Sequence, residues 1–133
     1  MKKIIGTVCF IVHGKRVMLA EIIYPDGKRF WNGLGGVVDD GESPKNAVVR
    51  EISEETKIAV RESDVTEVKI INVGNLELHI FATSRYSGEL QVLDPTLKQL
   101  QWFDFDSVPY SQMHIGNDSW LPGVLKTFAS GMD

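Results

Sequence analysis

One segment constrains this chain more than any other: GVVDDGESPKNAVVREISEETKI, residues 36 to 58, in which Glu51, Glu54 and Glu55 recur at intervals of three and four. Ser43 is suited to cap a helix because its hydroxyl can accept from an orphan amide. Pro44 suits the first helical position, where its missing N–H costs nothing. The spacing therefore predicts a helix that starts near Pro44. At 3.6 residues per turn, Val48, Val49, Ile52 and Thr56 fall on one side and the three glutamates on an adjoining arc of roughly 100°. One stripe packs while the other presents charge.

Like charges at these spacings cost about 0.2–0.5 kcal/mol per pair, so something must offset them. Taken alone, such a run reads as a solvated acidic face with Arg50 and Lys57 as counter-charges. Its setting points elsewhere: Glu42 lies in the preceding loop, Arg50 stands beside the first of the three, and Gly35-Gly36 lie upstream. Hard carboxylate oxygens grouped in this way suit Mg²⁺ or Mn²⁺, which keep several waters and bind through a few carboxylates together with substrate phosphates.

With those residues in view, the segment resembles the Nudix box, G-x5-E-x7-R-E-U-x-E-E-x-G-U with U aliphatic. Gly36, Glu42, Arg50, Glu51, Ile52, Glu54, Glu55 and Ile58 match, and Lys57 stands in place of the second glycine. If that glycine ends the helix in a left-handed conformation, lysine there costs on the order of 1 kcal/mol. The resemblance implies an α+β fold, a mixed β-sheet sandwiched between helices. It also implies that the Gly35 carbonyl and the carboxylates of Glu51, Glu54 and Glu55 hold Mg²⁺, with Mn²⁺ as a substitute, and that Glu54 or Glu51 is the general base. Arg50 is expected to pair with Glu42 and orient the helical carboxylates rather than to touch substrate. A further acidic ligand expected from a late loop is missing: Leu97 stands near its place, with Asp94 the nearest substitute.

The remainder of the chain is ordinary for a globular protein: 133 residues, 43% hydrophobic and 24% charged, with no internal repeat and no obvious linker. Residues 1–133 are expected to form a single domain. The opening MKKIIGTVCFIV imitates a secretory signal, but a small-residue cleavage pattern is missing and the apolar pattern resumes at Val17, so a β-hairpin is expected. No stretch is long enough to cross a bilayer. The single cysteine, Cys9, is expected to be buried and inert, and a reducing cytoplasm follows. Strands are expected at Val65 to Val73 and Leu76 to Tyr86 about a Gly74-Asn75 turn, with another at Leu100 to Phe105. A last helix is expected from about Trp120 to Ala129, capped by Asp118 or Ser119.

The resemblance extends to substrate. Phe30 to Gly36, Trp102-Phe103 and the stretch Asp118 to Pro122 are similar to the MutT-like subgroup that hydrolyses oxidised purine nucleoside triphosphates such as 8-oxo-dGTP. In that subgroup the residue matching Asn32 bonds the base; read from the residues alone, Asn32-Gly33 is equally a turn and Trp31 equally a core residue. Where such relatives place a stacking tryptophan and two aspartates, this chain has His114, Gly116 and Asn117, with Asp118 next; Asn117 and Asp118 either meet a purine edge or cap the helix. Lys28 and Arg29 are either phosphate contacts or a charged hairpin tip. The proline and the tyrosine that mark ADP-ribose and dinucleoside polyphosphate hydrolases in this family are missing from residues 59–85. A net charge of −4 argues against a nucleic-acid polymer as partner. The expected partner is a nucleotide, with no membrane and a monomeric or homodimeric chain; the competing class is a non-catalytic nucleotide sensor.

Overall fold

The computed structural model describes residues 2–89, 97–114 and 116–129. Six strands and two helices follow one another as β1 (Ile4–His13), β2 (Arg16–Ile23), β3 (Arg29–Asn32), α1 (Pro44–Glu55), β4 (Thr66–Val73), β5 (Leu76–Thr83), β6 (Leu97–Asp104) and α2 (Asn117–Phe128). The sheet runs β3-β2-β1-β5-β4, with β6 also paired to β2. Among the described residues only β1 and β5 pair in parallel, so the sheet is mixed. The expected opening hairpin is present, with Gly14 at φ 63° in its turn.

Alternation along the strands divides the core in two. Cys9, Ile11, Met18 and Phe81 pack with Val48 and Ile52 of α1, whereas Phe10, Val17, Leu19 and Ile80 pack with Leu121 and Leu125 of α2. The sheet is therefore a wall between the helices. Each of these side chains is nearly or fully out of water, and burying one of this size stabilises the fold by about 1.5–3 kcal/mol. Cys9 is fully buried, and burial pushes its thiol pKa up, so it is inert.

Helix α1 starts at Pro44 as its sequence requires, with Ser43 Oγ accepting from Asn46 N at 3.1 Å. Its end corrects the expectation for Lys57. The chain leaves through Thr56 in extended conformation (φ −140°, ψ −177°), and no described residue other than glycine has a positive φ. Thr56 Oγ1 donates to the Ile52 carbonyl at 2.8 Å and accepts from Ile58 N at 2.9 Å. A buried threonine thus closes the helix where a left-handed glycine was expected, and lysine is not strained.

Helix α2 also departs from expectation. It begins at Asn117 rather than near Trp120, with Gly116 at φ 98° in the N-cap position and no side-chain cap. Asp118 and Ser119 lie inside the first turn, and Ser119 Oγ donates back to the Gly116 carbonyl at 2.7 Å. Pro122 falls in the second turn, where it cannot donate to the carbonyl four residues back. Strand β5 stops at Thr83 instead of Tyr86 because the Thr83 hydroxyl exchanges bonds with the backbone of Arg85. Strand β6 begins three residues earlier than expected.

Candidate active site

Gly35 and Gly36 are held against β1 by an antiparallel run of bonds: Cys9 N to the Leu34 carbonyl at 2.6 Å, Thr7 N to the Gly36 carbonyl at 2.8 Å and Val38 N to the Ile5 carbonyl at 2.9 Å. The approach is too close for side chains. A Cβ on Gly35 would stand 2.0 Å from the Thr7 carbonyl oxygen, and one on Gly36 would stand 2.5 Å from Glu51 Cδ. Glycine here is what lets the α1 carboxylates lie on the strand. Gly35 N donates to Glu55 Oε1 at 3.0 Å, and Glu55 is 8% exposed.

Arg50 organises the acidic residues. Its Nε and Nη2 donate to the two oxygens of Glu42 at 2.7 and 2.9 Å, the pairing expected from the sequence. Its Nη1 donates to Glu51 Oε1 at 2.9 Å and to Glu54 Oε1 at 2.6 Å. The guanidinium bonds, with a further one from Asp39 N, hold the Glu42 carboxyl at a pKa of about 2, and the acidic partners raise that of Arg50. Glu51 differs: burial raises its pKa against the opposing pull of Arg50, so it is the stronger proton acceptor.

Among the described residues no three acidic, imidazole or thiol groups already stand as a metal cage, since Arg50 Nη1 lies between Glu51 and Glu54. The donor set nevertheless fits a hard divalent cation. Its side chains offer carboxylate oxygens only, a positive group already sits between two of them, and the glycine pair leaves a cradle that a Cβ would fill.

Part of this group borders a cavity of about 1130 Å³ that is also lined by residues of the sheet and the start of α2. Glu51, Glu55, Gly35 and Gly36 line it, while Glu54 and Glu42 do not. Asn32, Asn117 and Trp120 line it too, with Ile71, Leu78 and Ile80 as an apolar wall. Asn32 Oδ1 accepts from Gly33 N at 2.8 Å, which leaves its amide nitrogen for the cavity. Asn117 is 8% exposed, and its side-chain amide bonds no described residue.

The other expected site residues are dispersed. Trp31 is 7% exposed and packs edge-on against Phe103 at 4.9 Å, in the core and off the cavity, because it alternates with Asn32 along β3. Asp118 is exposed outside the cavity. Lys28 and Arg29 lie exposed near the β2–β3 turn and do not line it either. His114 is at the cavity edge, stacked on Phe30 at 5.2 Å and 20° and bonded through Nε2 to Tyr24 Oη at 3.1 Å. Asp94 lies outside the described residues. Phe30, the first residue of the stretch that carries the substrate resemblance, lines the cavity, and so do Tyr24 and Met113, which were not singled out in the sequence. Their only signal was aromatic or apolar character, which core residues share.

A sheet between two helices, with a glutamate helix and a glycine pair converging on a cavity, defines an α+β architecture with one candidate active site. The NUDIX domain model matches residues 2–124. An oxidized purine nucleoside triphosphate hydrolase of Danio rerio is 35% identical over 124 residues, 90% of this chain and 78% of that protein. Among solved structures, MutT from work on Aliivibrio salmonicida and Vibrio cholerae has a TM-score of 0.77 at 21% identity, covering 96% of this chain and 100% of its own. MutT NUDIX hydrolase of Burkholderia pseudomallei has 0.74 at 26%, covering 98% and 100%. The chain belongs to the NUDIX family and is a hydrolase of that family. No helix among the described residues is long and apolar enough to cross a membrane.

Proposed function

We propose that this enzyme is a Mg²⁺-dependent pyrophosphohydrolase that cleaves a purine (deoxy)nucleoside triphosphate, with oxidised purines such as that of 8-oxo-dGTP among its substrates, to the monophosphate and pyrophosphate. One observation carries the reading: the carboxylates of Glu51 and Glu55 sit on Gly35-Gly36 in a cavity that is also lined by two amides and an apolar wall. The similarity to the Danio rerio hydrolase supports the purine triphosphate.

Glu51, Glu54 and Glu55, with the Gly35 carbonyl, would hold Mg²⁺. Bound there, the cation neutralises phosphate oxygens and lowers the pKa of an attacking water. The remaining work falls to the chain itself. Glu54 or Glu51 takes the proton from water as its oxygen bonds to phosphorus, and the anhydride P–O bond breaks with pyrophosphate leaving. Arg50, anchored on Glu42, sets the directions of the Glu51 and Glu54 carboxylates and stays clear of the substrate. Asn32 and Asn117 meet the polar edge of the base while Ile71, Leu78 and Trp120 exclude water around it.

The test is a product-resolved assay with Mg²⁺ against 8-oxo-dGTP, the standard triphosphates, a methylated purine triphosphate, ADP-ribose and diadenosine tetraphosphate. Monophosphate and pyrophosphate from a purine triphosphate are the expected result. Preference for ADP-ribose or the dinucleotide would overturn the substrate, and binding without turnover would indicate a sensor.

A further inference from the structure

The face of β4 and β5 turned away from the cavity carries a line of alternating charge that hydrolysis leaves unused. His79, 8% exposed, sits midway along β5, level with Thr7 of β1 on one side and Ile70 of β4 on the other. Its Nδ1 meets the Glu67 carboxylate from β4, and its Nε2 lies 2.6 Å from Glu77 Oε2. The other Glu77 oxygen takes Lys3 Nζ at 2.5 Å. Ionised carboxylates only accept hydrogen bonds, so a ring bonded to one at each nitrogen carries a proton on both. Lys3, Glu77, His79 and Glu67 thus alternate in sign and tie the stretch entering β1, β5 and β4 together.

The residues on either side of His79, Leu78 and Ile80, point the opposite way and line the cavity with Ile71 of β4. Among the described residues, strand β4 ends the sheet order and has a strand neighbour on one side only. Its pairing with β5 is interrupted by a register shift between Glu67 and Lys69, beside the residue that reaches His79. What fixes β4 against β5 therefore fixes the wall.

We propose that doubly protonated His79 is a positioning residue, an ionic clamp that holds the β4–β5 ribbon in place as the apolar wall for the base, so that substrate capture weakens when the ring loses a proton. The proposal rests on the reading that the cavity takes a nucleoside triphosphate. The charged groups around the ring are Glu67 on β4, Glu77 on β5 and Lys3 ahead of β1; β1 itself presents the neutral Thr7. Burial alone opposes the charge, and the bonds to Glu67 and Glu77 outweigh it, raising the imidazole above its ordinary pKa of 6.5. The clamp is complete below that ordinary value and is released as pH rises through the raised one.

Two measurements on the full chain decide it. In the metal-free protein near pH 7, the ring ¹⁵N shifts of His79 should report protons on both nitrogens, and in Glu67→Gln the ring should titrate at lower pH. With substrate, KM of the unaltered enzyme should rise about three- to tenfold as pH climbs through the ring's titration, while His79→Gln shows the raised KM throughout. The kcat ratio of the two should stay constant over the same range. A neutral single tautomer near pH 7, or parallel KM profiles for the two proteins, would overturn the clamp. If no nucleotide is turned over, the proposed function fails, and the ring shifts alone still decide whether the clamp exists.

Discussion

The acidic end of the cavity comes from one short run of chain, whereas the apolar end is gathered from the β2–β3 hairpin, the β4–β5 ribbon and the start of α2. At the acidic end, a helical period brings Glu51 and Glu55 onto the two glycines that pair with β1. At the apolar end, Asn32, Leu78 and Asn117 meet only because the sheet and α2 are already in place. The difference implies that substitutions at the first end should act on chemistry and at the second on capture.

The sharpest separation should come from Glu54→Gln. With its side chain 57% exposed, Glu54 contributes little to the core, so the variant should keep its circular dichroism and thermal midpoint while kcat falls about 10²–10⁴-fold. A comparable fall in stability would break the division. Next are the two glycines. Gly35→Ala drives a Cβ into the Thr7 carbonyl, which cannot yield, and should destabilise by on the order of 1–3 kcal/mol in urea melts. Gly36→Ala meets the end of the Glu51 side chain, which can swing aside, so it should spare the fold and weaken Mn²⁺ binding by about 10–100-fold.

At the other end, Asn117→Leu replaces a free, nearly buried amide and should raise KM for a purine triphosphate about tenfold with kcat and Mn²⁺ affinity unchanged. An altered kcat would show that the two ends are coupled. The smallest effect belongs to Lys57→Gly. Because Lys57 is not left-handed, restoring the family's glycine should not stabilise the protein and should lower its stability by about 0.5–1 kcal/mol through the unfolded chain. A higher thermal midpoint would contradict the extended exit through Thr56.

The same contrast explains what the sequence made legible. The start of α1, its Ser43 cap, the Arg50–Glu42 pair and the α+β order are local or follow from residue periodicity, and each could be read directly. The start of α2 could not be read so directly, because Gly116 caps by backbone conformation while Asp118 and Ser119 are the better side-chain caps on paper. Trp31 and Asn32 are adjacent in sequence yet face the core and the cavity, a choice made by the register of β3 on β2. Tyr24 and Phe30 gain their position beside His114 from a contact some ninety residues away in the chain.

The most direct test is Mn²⁺ titration of the full chain, followed by electron paramagnetic resonance, with Glu51→Gln and Glu54→Gln beside the unaltered protein. Saturable binding that weakens at least about tenfold in each folded variant is the expected result. Binding that is undiminished in both variants, or no binding even with a nucleoside triphosphate present, would contradict a cation held by the carboxylates of α1.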